Sequence, residues 1–136
     1  MRILLDTSVY SQPIKRVPLP SVIERWKANP ESDYAVSAIC ELEVLYGIRL
    51  SGSENLKIAF RRILHGRFPI LPFDARCAAA YAELQADFVA EGATRPAFDL
   101  MIAATALVHK LELATLNARD FRGIPGLRVL DWGAEA

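Results

Sequence analysis

The order of apolar and polar residues along the chain predicts strands that alternate with helices. Short apolar runs without alternation, typical of strands buried on both faces, lie at 3–5, 34–36 and 113–115. A last strand is predicted at 127–130. The segment 68–73 is also apolar, but its two prolines limit it to a weak edge strand. We therefore expect a sheet in which the first strand is central and parallel to its neighbours.

Helical spacing of apolar residues fills the segments between these strands. The predicted helices cover 21–27, 38 to Gly47 or Gly52, 53–65, 74–91 with Asp74 as the cap, and 96–110 with Pro96 in the first turn. The last of these is apolar almost all round, so we expect it to be buried. Alternating strands and helices imply an α/β fold of three layers, with helices on both faces of a mainly parallel sheet.

Composition and charge narrow the class of protein. The 136 residues, 52% hydrophobic with a mean hydropathy of +0.18, fit a single folded domain over 1–136. Sixteen Lys+Arg balance sixteen Asp+Glu, so a site for a polyanion must be a local patch. No apolar stretch approaches the roughly 20 residues that cross a bilayer, and no apolar signal region follows the N-terminus, so we expect a cytoplasmic protein. Cys40 and Cys77 lie in apolar segments and are expected to be unpaired core residues.

Acidic residues occur where a parallel sheet places its functional crevice, beyond the carboxyl ends of the strands. Asp6 ends the first strand. Asn117 and Asp120 follow the strand at 113–115, and Asp99 lies in the opening turn of the apolar helix. Three acidic groups are thus expected to converge at one edge of the sheet.

Glu43, inside the helix that follows the second strand, is a fourth candidate. Glu41 is two positions away, roughly 200° around the helix, so only one of the two can face the site. Each candidate also has a purely structural interpretation. Asp6 and Asp120 can cap turns. Asp99 can offset the helix dipole, and Glu43 can lie on a solvated face.

A cluster of carboxylates poses an electrostatic problem. Two of them about 4 Å apart repel by roughly 4 kcal/mol at an effective dielectric of 20, so the cluster either takes up protons or binds a cation. Oxygen ligands without Cys or His select a hard ion, which favours Mg²⁺, with Mn²⁺ as a plausible substitute, over Zn²⁺. Such an ion can lower the pKa of a bound water and so favour phosphoester hydrolysis. The chain has no GxxxxGK[ST] or GxGxxG phosphate loop.

Four stretches carry most of these candidates. They are 4–8 (LLDTS), 37–47 (SAICELEVLYG), 99–106 (DLMIAATA) and 113–121 (LATLNARDF). In this order and over this length, the sequence resembles the PIN-domain ribonucleases, specifically the VapC-type toxins of toxin–antitoxin pairs. The resemblance covers nearly the full chain and implies a PIN-like fold and a Mg²⁺-dependent endoribonuclease that hydrolyses RNA phosphodiester bonds by metal-activated water.

The resemblance also implies the metal-binding residues. It assigns Asp6, Glu43 and Asp99 as the catalytic carboxylates that bind the metal. Glu43 is preferred to Glu41 because it stands four residues before Gly47.

A further polar contributor is expected from the stretch 115–120. Members of the family often have Asp where this chain has Asn117, so Asn117 or Asp120 completes the site, and Asp120 is taken as the fourth catalytic residue. The hydroxyls of Thr7 and Thr115 are expected to support the ligands.

Partners follow from the same resemblance. We expect a small VapB-type antitoxin whose C-terminal segment covers the acidic site, and a homodimer. The segment 49–67 is markedly basic, and its Lys57 and Arg61, four residues apart on a helix, can hold RNA phosphates. An ordinary solvated helix face is the alternative for this pair. A second class of function stays open for the whole chain, namely a non-catalytic PIN-like module that binds RNA or a protein.

Overall fold

The computed structural model describes residues 1–134, and its centre is a parallel sheet of five strands. The strands are β1 (Ile3–Leu5), β2 (Tyr34–Ser37), β3 (Ile70–Leu71), β4 (Glu112–Thr115) and β5 (Val129–Asp131). They lie in the order β3-β2-β1-β4-β5, and all neighbours are parallel. As its apolar run predicts, β1 is central and fully buried. Residues 135 and 136 of the predicted domain lie outside the described residues.

Helices connect the strands and flank the sheet. They are α1 (Thr7–Tyr10), α2 (Pro20–Lys27), α3 (Ala38–Ser51), α4 (Glu54–Ile63), α5 (Ala75–Ala90) and α6 (Ala97–His109). Single 3₁₀ turns lie at Gln12–Ile14, Glu31–Asp33 and Ala118–Phe121. The predicted α/β class with a parallel central sheet is confirmed.

Local sequence signals explain where the longer helices begin and end. The side chains of Ser37, Ser53 and Asp74 each accept a hydrogen bond from the backbone N–H three residues later, which caps α3, α4 and α5. Of the two glycines considered for the end of α3, Gly47 lies within the helix. Gly52 ends it, with the left-handed φ of 65° that favours glycine.

Helix α6 runs through the core, as its apolar surface predicts. Leu100 and the run 102–106 are buried, and the hydroxyl of Thr105 donates a 2.9 Å hydrogen bond to the carbonyl of Met101. Pro96 is the residue that precedes the helix rather than a member of its first turn. Because Leu100 and 102–106 are buried, they anchor the helix that carries Asp99 in its first turn.

Two further predicted boundaries are wrong, each because of a turn. Strand β5 begins at Val129 rather than Leu127, since the N–H of Leu127 donates to the carbonyl of Ile124 in a turn through Gly126 (φ 77°). Helix α4 ends at Ile63, before His65, because the chain turns toward Gly66 (φ 73°). Neither shift moves a candidate site residue.

Two further expectations concern the core and the membrane. Cys40 and Cys77 are both buried and unpaired, as expected. Of the helices in residues 1–134, none combines the length and apolar content needed to cross a bilayer.

Candidate active site

The candidate site lies at the carboxyl ends of β1 and β4. The chain moves outward from β1 to β2 and β3 on one side, and β4 and β5 extend the sheet on the other. The crevice beyond such a change of direction is where parallel sheets bind their ligands. Asp6 follows β1 directly, and its N–H donates to the carbonyl of Ala114 on β4 at 2.9 Å. The two strand ends are thereby held together.

Asp6 is the most buried of the candidate acids, with only 6% of its surface exposed. One carboxylate oxygen, Oδ2, accepts hydrogen bonds from Thr115 Oγ1 at 2.7 Å and from Ser8 Oγ at 3.0 Å. Burial raises the pKa of Asp6, while the bonds from Thr115, Ser8 and the backbone of Thr7 oppose the rise. A buried carboxylate with hydroxyl donors on one oxygen is well suited to use the other as a ligand.

The two hydroxyls beside Asp6 are themselves oriented by backbone groups. The N–H of Asn117 donates to Thr115 Oγ1 at 3.0 Å, and the N–H of Leu116 donates to Ser8 Oγ at 3.1 Å. A hydroxyl that accepts from an N–H directs its own proton elsewhere, here to the Asp6 carboxylate. The turn after β4 therefore fixes the orientation of the Asp6 side chain.

The two glutamates of α3 point to different partners on α1. Thr7 Oγ1 donates to Glu43 Oε1 at 2.7 Å, and Tyr10 Oη donates to Glu41 Oε1 at 3.0 Å. Since Thr7 adjoins Asp6, its hydrogen bond brings Glu43 next to the end of β1. Glu41 is occupied by Tyr10, one turn further along.

Asp99 shares an electrostatic environment with the other candidate acids. Burial, followed by the negative charges of Asp6, Asp120 and Glu43, raises its pKa to about 6, and the Arg95 cation opposes the rise. Asp120 likewise contributes to the raised pKa of Asp6. These mutual effects mean that the fold gathers four acidic residues, separated by up to 114 positions, at one edge of the sheet.

The remaining polar candidates lie on the turn after β4. Asp120 is in the 3₁₀ turn at Ala118–Phe121, and both its side chain and that of Asn117 are exposed to solvent. Asn117 acts on the site through its backbone N–H, which orients Thr115. Of the two, Asp120 is the residue that adds charge to the cluster.

The acidic cluster has no basic partner in an ion pair within residues 1–134. In the same part of the chain, no three His, Cys, Asp or Glu side chains come close enough together to serve directly as ligands of one ion. A hard ion held by one or two carboxylates, with water between it and the others, fits this spacing. Carboxylates that repel one another and form no ion pair with a basic side chain of the described residues suit such an ion.

Ser8 and Arg95 also belong to this region, although the sequence pattern alone assigns neither a role. Ser8 donates to Asp6, and its place two residues after an acid at a strand end is a signal that could have indicated this. Arg95 donates from Nη1 to the carbonyl of Asp120 at 3.0 Å. No sequence pattern links Arg95 to a residue 25 positions away.

The basic pair of α4 lies at a groove formed with α3. The groove has a volume of about 790 Å³ and is lined by apolar residues of both helices, among them Leu45, Ile48 and Phe60, with Lys57 and Arg61 also on its wall. Lys57 approaches Glu54 at 3.8 Å. The pair thus borders an apolar surface rather than a purely solvated helix face.

A family model, related sequences and solved structures all match this chain to the same family. Residues 3–127 match the model of the PIN domain. The tRNA(fMet)-specific endonuclease VapC of Shigella flexneri is 30% identical over 97% of this chain and 98% of its own length. Ribonuclease VapC1 of Rickettsia felis is 33% identical over 96% of each. The crystal structure of DNA-bound VapBC from Salmonella typhimurium has a TM-score of 0.83, with 28% identity over 97% of this chain and 98% of that one.

The chain therefore belongs to the PIN-domain family of nucleases, in its VapC group. The predicted resemblance and the PIN-like fold are confirmed. PIN-domain nucleases generally depend on a divalent metal ion.

Proposed function

We propose that the chain is a Mg²⁺-dependent endoribonuclease and the toxin of a VapBC-type toxin–antitoxin pair. The observation that carries the proposal is the group of four acids at the ends of β1 and β4, of which Asp99 has a pKa raised to about 6. This clustering of like charges is costly to the fold unless it serves a ligand. Membership of a nuclease family supports RNA as the substrate.

Asp6, Glu43 and Asp99 would hold the ion together, one or two of them directly and the rest through water, with Asp120 also contributing through water. When bound, Mg²⁺ supplies a water of lowered pKa and neutralises charge on the scissile phosphate. The hydroxyls of Thr115 and Ser8 keep Asp6 in one orientation, and that of Thr7 does the same for Glu43. Mn²⁺, which also takes oxygen ligands, should substitute.

RNA binding is assigned to the groove of α3 and α4. Lys57 and Arg61 would bind backbone phosphates, which carry no sequence information but fix the position of the strand. The groove residues Leu45 and Ile48 lie roughly 140–200° around α3 from Glu43, so the groove and the acidic site are on different faces of this helix.

A VapB-type antitoxin is the proposed protein partner, since solved relatives are VapBC complexes. The apolar residues that α3 exposes near the groove, which include Leu42, Leu45 and Leu50, suit the apolar face of such a partner. Its C-terminal segment would then extend over the acids. We also propose a homodimer and a cytoplasmic location.

The direct test is cleavage of RNA by the purified protein. Labelled tRNA(fMet) and an unrelated messenger RNA should be offered with Mg²⁺, with Mn²⁺ and with EDTA. We expect cleavage of at least one RNA in the presence of either metal, and none in EDTA.

Two variants control this experiment. Asp6→Asn should fold but not cleave, which excludes a contaminating nuclease. Asp87→Asn, at an exposed acid of α5, should retain full activity. If the wild-type protein binds RNA without cleaving it in either metal, the chain is instead the non-catalytic binding module.

A further inference from the structure

Arg95 lies in the connection between α5 and α6, next to the start of the helix that carries Asp99. It directly precedes Pro96, the N-cap residue of α6. Its backbone is held on both sides by one side chain of α5: Gln85 Nε2 donates to the carbonyl of Arg95 at 3.0 Å, and the N–H of Arg95 donates to Gln85 Oε1 at 3.4 Å. The backbone of Arg95 is thus anchored to α5.

The side chain of Arg95 crosses to the turn that follows β4. Nη1 donates to the carbonyl of Asp120 at 3.0 Å, and Nη2 donates to the carbonyl of Arg122. The guanidinium also lies over the ring of Phe88, 4.6 Å from its centroid. Both carbonyl acceptors belong to the turn that carries Asp120 or to the residue just after it.

We propose that Arg95 is a positioning residue that joins the start of α6 to the turn of Asp120 and thereby sets the spacing between the Asp99 and Asp120 carboxylates. This inference rests on the proposed function. Without the bridge, the turn that carries Asp120 would not be tied to the start of α6, and such connecting turns are the more mobile parts of a fold. With it, both are tied to one guanidinium.

Arginine suits this role for two physical reasons. Its planar fork can donate to two carbonyls at once and stack on an aromatic ring, which a lysine ammonium cannot reproduce. It also leaves a positive charge near Asp99, where it partly offsets the repulsion among the four acids. Because its donors are engaged by backbone carbonyls, Arg95 acts on the site through the turn rather than as a ligand of the RNA.

The test compares Arg95→Gln and Arg95→Lys with a matched control, Arg76→Gln. Arg76 also donates from Nη2 to a backbone carbonyl, that of Val108 at 3.4 Å, but near the other end of α6. Three quantities should be measured for each folded variant: the Kd for Mn²⁺ in the absence of RNA, kcat and KM for cleavage, and the unfolding temperature without metal. The Mn²⁺ titration does not depend on catalysis.

We expect Arg95→Gln to weaken Mn²⁺ binding and lower kcat by about 10- to 100-fold, as residues that orient metal ligands do, with KM changed far less. Arg76→Gln should leave both unchanged. Arg95→Lys should unfold at the wild-type temperature, because the positive charge is retained. Its kcat should still be nearly as low as that of Arg95→Gln, because a lysine ammonium cannot replace the planar guanidinium that donates to two carbonyls. If Arg95→Gln does not fold, the same comparison is made with Arg95→Lys.

The pathway through Asp120 is tested by repeating the measurements in an Asp120→Ala background. If Arg95 acts by positioning Asp120, its replacement there should change the Mn²⁺ Kd by less than about threefold, which is close to the scatter of such double-mutant comparisons. An equal loss in both backgrounds would overturn the inference, as would wild-type behaviour of Arg95→Lys or Arg95→Gln. Absence of Mn²⁺ binding and cleavage in the wild-type protein would instead contradict the proposed function, so the two failures are distinguishable.

Discussion

The hydroxyl of Thr115 donates a 2.7 Å hydrogen bond to the carboxylate of Asp6, across 109 positions of sequence. Both residues are buried, and they join the carboxyl ends of the two central strands of the sheet. The bond is part of a short chain in which the N–H of Asn117 orients Thr115 and Thr115 orients Asp6. The geometry of the candidate ligand is thus built by residues that need not touch the substrate.

This bond predicts the effects of two substitutions at Thr115. Thr115→Val keeps the shape of the side chain but removes the donor to Asp6, so we expect cleavage to fall by about 10- to 100-fold. Thr115→Ser, which keeps the hydroxyl, should retain most of the activity. Steady-state rates with Mg²⁺ check both. Equal activity of the valine and wild-type proteins would show that the hydroxyl has no part in orienting Asp6.

Replacing an acid of the cluster should separate function from stability. Asp99→Asn removes one of four mutually repelling charges, so we expect cleavage to be abolished while the metal-free protein becomes more stable. Thermal unfolding in EDTA, beside an activity assay, measures both effects. A fully active variant that combines Asp6→Asn and Asp99→Asn would rule out the proposed catalytic role of these acids.

The pH dependence of stability has a definite sign. The pKa of Asp99 is about 6 in the folded protein, against an ordinary value of 3.8, so the folded state binds this proton more readily than the unfolded state. The charged form therefore destabilises the metal-free protein above pH 6, and this effect is relieved as the pH falls from 6 toward 4. In EDTA, the stability difference between Asp99→Asn and wild type should shrink over that window.

Other groups titrate in the same range, so the comparison between the two proteins is the useful quantity. Saturating Mg²⁺ should remove most of the difference above pH 6, because the ion stabilises the carboxylate form. If the stability difference between Asp99→Asn and wild type in EDTA stays constant from pH 7 to pH 4, the raised pKa of Asp99 is contradicted.

The basic pair at the groove makes a prediction about salt. Reversal of charge at Lys57 and Arg61 should weaken binding of single-stranded RNA and reduce the slope of log K against log salt by about 1.4, or about 0.7 for each phosphate that is no longer neutralised. Binding is best measured in the Asp6→Asn background, so that the RNA stays intact. Reversal at Lys15 and Lys27, exposed residues outside the groove, serves as the control. Identical slopes for both pairs would remove Lys57 and Arg61 from the RNA surface.

The elements that could be predicted are those whose signal is local. Strand β1 and helix α6 are predictable because an unbroken apolar run and a helix that is apolar almost all round are each stable only when buried in the core. The caps at Ser37 and Asp74 are predictable because the cap and its N–H partner are three residues apart. In contrast, α1 (Thr7–Tyr10) is not, since its four residues have no helical periodicity and it forms where the N–H groups of Val9 and Tyr10 donate to the carbonyl of Asp6.

The candidate site also has a part that the sequence predicts and a part that only the structure shows. The positions of Asp6 and Asp99 after a strand and at a helix start are readable from the chain, and the choice of Glu43 over Glu41 rests on the resemblance to the family. The structure shows in addition that Glu43 accepts a hydrogen bond from Thr7 and Glu41 accepts one from Tyr10, so the two glutamates have different partners. The role inferred for Arg95 could not be read from the sequence, because both carbonyls to which it donates come from a distant turn.

The central claim is that Asp6, Glu43 and Asp99 serve one divalent ion, and a Mn²⁺ titration followed by electron paramagnetic resonance tests it most directly. The wild-type protein and Asp87→Asn should remove free Mn²⁺ from solution with a saturable Kd, and the combined Asp6→Asn and Asp99→Asn protein, folded by circular dichroism, should not. Uptake of Mn²⁺ by the doubly substituted protein equal to that of the wild type, or none by the wild type, would contradict the claim.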